Sequence, residues 1–178
     1  LILTSWVDND VRVWNQAEQQ VKWRSSGLAA PVSSVRYKEL IAVAEHGKSR
    51  VISINKEGEV DSILAEDLPA PTGLKVRDGQ LFISDRSLDK ILRIAQNGQR
   101  LSEPEIVAEN LVSPEGLDFC DRKLVVIEAD LEEVTMIHAS GDKSLLAKIP
   151  PGSQAVSELQ PPSQVFNGVA IDDNGNVY

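Results

Sequence analysis

The chain has 178 residues, 42% of them hydrophobic and 25% charged, the balance of one globular domain of ordinary size. Its net charge is −9, and residues 101–178 hold 4 Lys/Arg against 14 Asp/Glu. That argues against a nucleic-acid partner, because phosphate backbones reward basic surfaces. No run of about 18 apolar residues is present to span a membrane, and Cys120, the single cysteine, cannot form an internal disulfide.

In chain order, Leu1 to Ser5 is a short apolar run of strand type, and Asp8-Asn9-Asp10 carries turn chemistry. Val11 to Trp14 and Val21 to Arg24 alternate as half-buried strands do. A second unit places strands at Ser33 to Tyr37, Leu40 to Ala44, Arg50 to Ile54 and Val60 to Ala65. A third has Gly73 to Val76, Leu81 to Asp85, Lys90 to Ile94 and a last strand ending at Ile106-Val107, with Asp78-Gly79 and Gln96-Asn97-Gly98 as hairpin turns. A fourth has Gly116 to Phe119, Lys123 to Ile127, Val134 to Ile137 and Ser144 to Ile149. Pro150 to Gln164 reads as an inserted loop, and Val165 to Ile171 opens a fifth unit. No window shows helical periodicity with a capping signal. The repeats run over residues 1–29, 30–68, 69–111, 112–160 and 161–178.

The units share a phrase. It reads Ala-Glu-Asp-Leu-Pro-Ala-Pro-Thr-Gly-Leu at 65–74 and Ala-Glu-Asn-Leu-Val-Ser-Pro-Glu-Gly-Leu at 108–117, with Pro31, Pro71 and Pro114 40 and 43 residues apart. A period of this size with about four short strands per repeat predicts an all-β fold, a β-propeller of four-stranded antiparallel blades. The first strand of each blade then lines the central channel. One position of the phrase varies through Val32, Thr72, Glu115 and Asn167. The next is small: Ser33, Gly73, Gly116 and Gly168, as expected where backbone passes close to something or needs positive φ. A second set, Ser5, Glu45, Asp85 and Glu128, ends the second strands, and such carboxylates are usually solvated or bonded to turn amides. The chain starts within a second strand and stops at Tyr178 just after a turn. It is expected to be an open arc of about four blades rather than a closed four-bladed propeller, and such an arc alone should self-associate.

With Pro-Thr-Gly-Leu, Pro-Glu-Gly-Leu and Phe-Asn-Gly-Val on inner strands, the chain resembles the SMP-30/gluconolactonase/LRE family of propellers and, more distantly, NHL-repeat propellers. Gly168 to Tyr178 and Gly73 to Asp85 carry the likeness to both. The resemblance implies a six-bladed ring of which this chain is an arc, a divalent cation, calcium or else zinc, near the channel mouth, and hydrolysis of sugar lactones or related esters. It places metal ligands immediately before a Gly on inner strands, which Glu115 and Asn167 match. Thr72 holds the same place and is expected to touch substrate. A catalytic base would come from a blade outside this chain. The competing reading is a non-catalytic NHL-type propeller that binds a small molecule or a protein. No nucleophile elbow, phosphate loop or dinucleotide motif occurs, and His46 and His138 lie in different repeats. Trp6, Trp14 and Trp23 are expected to pack between blades.

Overall fold

The computed structural model describes residues 1–149, 168–172 and 174–178. Its strands are β1 (Ile2–Ser5), β2 (Asp10–Asn15), β3 (Gln20–Ser26), β4 (Pro31–Tyr37), β5 (Leu40–Glu45), β6 (Arg50–Ile54), β7 (Val60–Ala65) and β8 (Pro71–Arg77). They continue as β9 (Gln80–Asp85), β10 (Lys90–Gln96), β11 (Gln99–Ala108), β12 (Pro114–Cys120), β13 (Lys123–Glu128), β14 (Glu133–Ile137) and β15 (Lys143–Lys148). Four antiparallel sheets result: β1-β2-β3, β4-β5-β6-β7, β8-β9-β10-β11 and β12-β13-β14-β15. A single bridge, Ile171 to Val177, begins a further hairpin. The sheets stack as blades, with β1 against β4, β4 against β8 and β8 against β12. This is the expected all-β fold, a partial propeller.

The apolar runs of the second strands follow from two-sided burial. Along β5, Ile41 and Val43 pack toward Val11 and Val13 of the first blade, while Ala42 and Ala44 pack toward Leu81 and Ile83 of the third. Along β9, Leu81 and Ile83 face back, while Phe82 faces Leu117 and Leu124 of the fourth. Successive side chains of a strand point to opposite faces, so each central strand serves two cores at once.

The shared phrase is an anchor built on unusual backbone. Gly27 (φ 76°), Asp67 (φ 58°) and Asn110 (φ 57°) turn the chain off each outer strand in the left-handed region, which Gly, Asn and Asp tolerate best. The next residue is a buried leucine each time: Leu28, Leu68 and Leu111. Its N–H donates to the carbonyl of Asn9 (3.1 Å), Ser49 (3.0 Å) or Asp89 (3.1 Å). Those three acceptors are themselves left-handed, at φ 53°, 51° and 55°. The position of Asn9 in this series places β1 as a second strand, and among the described residues the first sheet has three strands, with no inner one beside β1.

The outer strand β11 runs ten residues and ends one residue beyond the expected Ile106-Val107, with a start that the sequence did not mark. Gln99 to Glu105 is polar and holds Pro104, so it carries no apolar alternation, yet it pairs with β10 as an exposed edge. Charges and Pro on an edge strand discourage pairing with other chains, which suits this place.

Candidate functional site at the channel mouth

The inner-strand phrases converge. Val32 and Ser33, Thr72 and Gly73, Glu115 and Gly116, and Gly168 all border one cavity of about 210 Å³. Asn167 lies outside the described residues; Gly168, which follows it, borders the cavity. The two explanations for the small positions separate at Gly73, whose φ is not in the positive range. A Cβ there would strike the Glu115 carbonyl oxygen and lie 2.8 Å from Leu117 Cδ2. Close approach of β12 is therefore the reason for that glycine.

Two candidate side chains are occupied by blade-to-blade contacts. The buried Thr72 hydroxyl lies 3.0 Å from the Pro114 carbonyl of the next blade, 3.1 Å from the Ser84 carbonyl and 2.9 Å from Ser84 Oγ. The Ser84 hydroxyl in turn donates to the Glu115 carbonyl. Glu115 is only 1% exposed, and its Oε1 lies 2.9 Å from Nη1 of Arg86. The other guanidinium nitrogen of Arg86 faces Asp130 Oδ1 at 3.4 Å. Asp130 also accepts the Ser113 hydroxyl. A buried carboxylate needs such a partner, because leaving its charge unpaired would be very costly.

Arg86 belongs to a ring of positions that sequence reasoning did not align as a set, although it named Trp6 and His46 singly. Trp6, His46, Arg86 and Ala129 each follow the strand-ending residue of their blade by one. They differ in chemistry, and His46, Arg86 and Ala129 stand beside the start of their inner strands, their N–H groups donating to the carbonyls of Ala30, Ala70 and Ser113. The rings of Trp6 and His46 lie 6.0 Å apart, tilted by 32°. The sequence carries the signal, since this ring is the next column after the strand-ending set Ser5, Glu45, Asp85 and Glu128.

The strand-ending carboxylates themselves are buried clamps. Glu45 Oε1 accepts the Ala29 N–H (2.7 Å), Asp85 Oδ2 the Ala70 N–H (3.0 Å) and Glu128 Oε2 the Val112 N–H (2.8 Å). Each holds the chain as it enters an inner strand. Glu45 is paired with Arg50 at 2.6 Å. Asp85 instead accepts the N–H groups of Ser87 and Leu88, both at 3.0 Å. Burial raises its pKa above the ordinary value of 3.8, and the three amides and the nearby His46 only partly oppose that.

A hard cation such as calcium takes six to eight oxygen ligands. Among the described residues no group of three or more His, Cys, Asp or Glu side chains is placed to hold a metal ion. Among the described residues that border the cavity, the one carboxylate, Glu115, faces a guanidinium. The described residues therefore do not by themselves form a cation site.

No protein-family model and no curated protein sequence matches the chain. Solved structures do. A gluconolactonase from Xanthomonas campestris superposes with a TM-score of 0.73 at 19% identity, covering 99% of this chain and 64% of that one. Virginiamycin B lyase from Staphylococcus aureus gives 0.65 at 16% identity, covering 94% of this chain and 55% of that one. A nidogen/laminin complex gives 0.63 at 17% identity, covering 92% and 62%. The chain thus spans somewhat over half the length of these structures. A gluconolactonase, a lyase and a nidogen/laminin complex share this fold, and the likeness establishes one thing: the chain folds as part of a β-propeller.

Proposed function

We propose that the channel mouth takes a small polar molecule and that the whole protein hydrolyses sugar lactones or related esters. The observation that carries this reading is the convergence of the variable inner-strand positions on one cavity beside the Arg86–Glu115 pair. The gluconolactonase of the same fold supports the reaction class. In this reading Arg86 is the working group of the described arc. A fixed guanidinium can stabilise the oxyanion that forms when water attacks a lactone carbonyl. Glu115 holds that guanidinium in place, and Thr72 ties the two inner strands that frame it. No step is assigned to calcium or zinc, because Glu115 is engaged by Arg86.

The test is a panel of sugar lactones offered to the full-length protein, with and without added calcium or zinc. Hydrolysis is expected, with an Arg86→Met variant slower by about a hundredfold, the usual cost of losing one oxyanion donor. No turnover under any condition would remove the hydrolase reading. Metal-dependent heat in calorimetry that vanishes in a Glu115→Ala variant would instead restore a cation to this site. The second reading, a non-catalytic propeller that binds a ligand or protein, is favoured by the Thr72 hydroxyl being spent on blade contacts. It expects binding heat without turnover.

A further inference from the structure

At the other end of β8 from Thr72, the third and fourth blades leave a second cavity, of about 460 Å³. Its floor is aromatic. Phe82 of β9 and Phe119 of β12 meet edge to face, with centroids 5.0 Å apart and planes at 61°. Its walls are cationic. The Arg77 guanidinium lies over the Phe119 ring, 4.9 Å from its centroid. Arg93 stands directly across from Phe82 in the β9–β10 register and pairs with Glu105 of β11. Arg122 enters from the β12–β13 turn and makes no ion pair or hydrogen bond among the described residues.

Three guanidinium groups thus meet two carboxylates, Glu105 and the largely exposed Asp78, in a chain whose net charge is −9. Packing between blades accounts for Phe82 and Phe119, and Glu105 accounts for Arg93. Asp78, 3.4 Å from Arg77 Nε, pairs with Arg77, which leaves Arg122 as the one of the three guanidinium groups with no ion pair among the described residues. Guanidinium forks match a carboxylate with two parallel hydrogen bonds, and they stack on flat π-systems. Cavities of this size, with an apolar floor and a few polar groups, are typical of small-molecule sites.

We propose that this cavity binds a small planar carboxylate, such as an aromatic acid, with its ring on Phe82 and Phe119 and its carboxylate held by Arg77 and Arg122. The site is separate from the channel mouth and independent of any hydrolase activity there. The experiment is calorimetry of the full-length protein with benzoate, cyclohexanecarboxylate and inorganic phosphate. Benzoate is expected to bind best. Arg122→Ser, an exposed turn substitution that leaves the core intact, is expected to weaken it about tenfold. Glu115→Gln at the channel mouth is expected to leave it unchanged. The proposal is overturned if benzoate does not bind, if Arg122→Ser binds it equally well, or if phosphate binds as tightly. Loss of benzoate binding in Glu115→Gln would also overturn it, by moving the site to the mouth.

Discussion

Asp85 does three things with one carboxylate. It takes the Ala70 N–H as the chain enters β8, and the Ser87 and Leu88 N–H groups as it leaves β9. Glu45 has an arginine partner for its charge, whereas Asp85 has backbone amides. Burial therefore dominates and its folded pKa is raised above 3.8. A carboxyl with a raised folded pKa favours folding most when protonated, and that advantage is lost as pH rises through the folded value. In an Asp85→Asn variant the amide loses one acceptor at every pH, so the informative quantity is the pH dependence of the difference. Denaturant titrations from about pH 3 to about pH 7 should show wild-type stability falling relative to the variant. A difference that stays flat or grows would contradict this account. The carboxylate's place at a strand end was legible in the sequence, which left open whether it would be solvated or bonded to turn amides; it is bonded to them. Its burial was not legible, because that comes from the neighbouring blade.

At the scale of elements, the strands with the strongest signal are the ones packed on both sides. The runs Leu40 to Ala44, Leu81 to Asp85 and Lys123 to Ile127 fall within β5, β9 and β13. Alternate residues there feed different cores, so consecutive positions such as Ile41 to Ala44, Leu81 to Ile83 and Leu124 to Ile127 are all apolar. Outer strands have no such pressure. β15 is exposed at every position and β11 at most, and only β11's last residues could be read. The inner strands are governed by distance. β8 approaches β12 so closely that Gly73 has no room for a side chain. Gly73→Ala should destabilise the fold by about 1–3 kcal/mol, the usual range for overpacking, measured by urea unfolding. Gly168→Ala should cost less from crowding, since a Cβ there meets nothing within 4 Å. Equal losses at the two sites would show that the close approach is not what requires Gly73.

The whole molecule is a curved stack whose two ends differ. At one, Leu1, Leu3 and Val7 are exposed, Val7 at 91%. At the other, Val177 and Tyr178 are exposed, Tyr178 at 73%. In a closed ring, surfaces of this kind are covered by further blades, as each internal blade here is covered by two. Repeat proteins depend on neighbours and caps in the same way. We expect the 178-residue chain, made alone, to self-associate, and sedimentation velocity to show dimers or larger species. A stable monomer would mean that these ends are covered from within the chain.

The sequence alone determined the strand periods, the turns and the repeat. Each of these is a local choice: alternation along a strand, a left-handed residue at Gly27, Asp67 or Asn110, a leucine after it. The same periodicity brought Thr72, Glu115 and Gly168 to one cavity, since equal repeats place equal positions around one axis. Only the tertiary structure decided what those side chains face. Glu115 faces Arg86, the Thr72 hydroxyl meets the Pro114 carbonyl, and Arg77 lies over Phe119, each partner supplied by an adjacent blade. Local pattern sets the faces of a blade. It carries no record of which residue of the neighbouring blade will lie opposite, and at a site built between blades that pairing sets the chemistry.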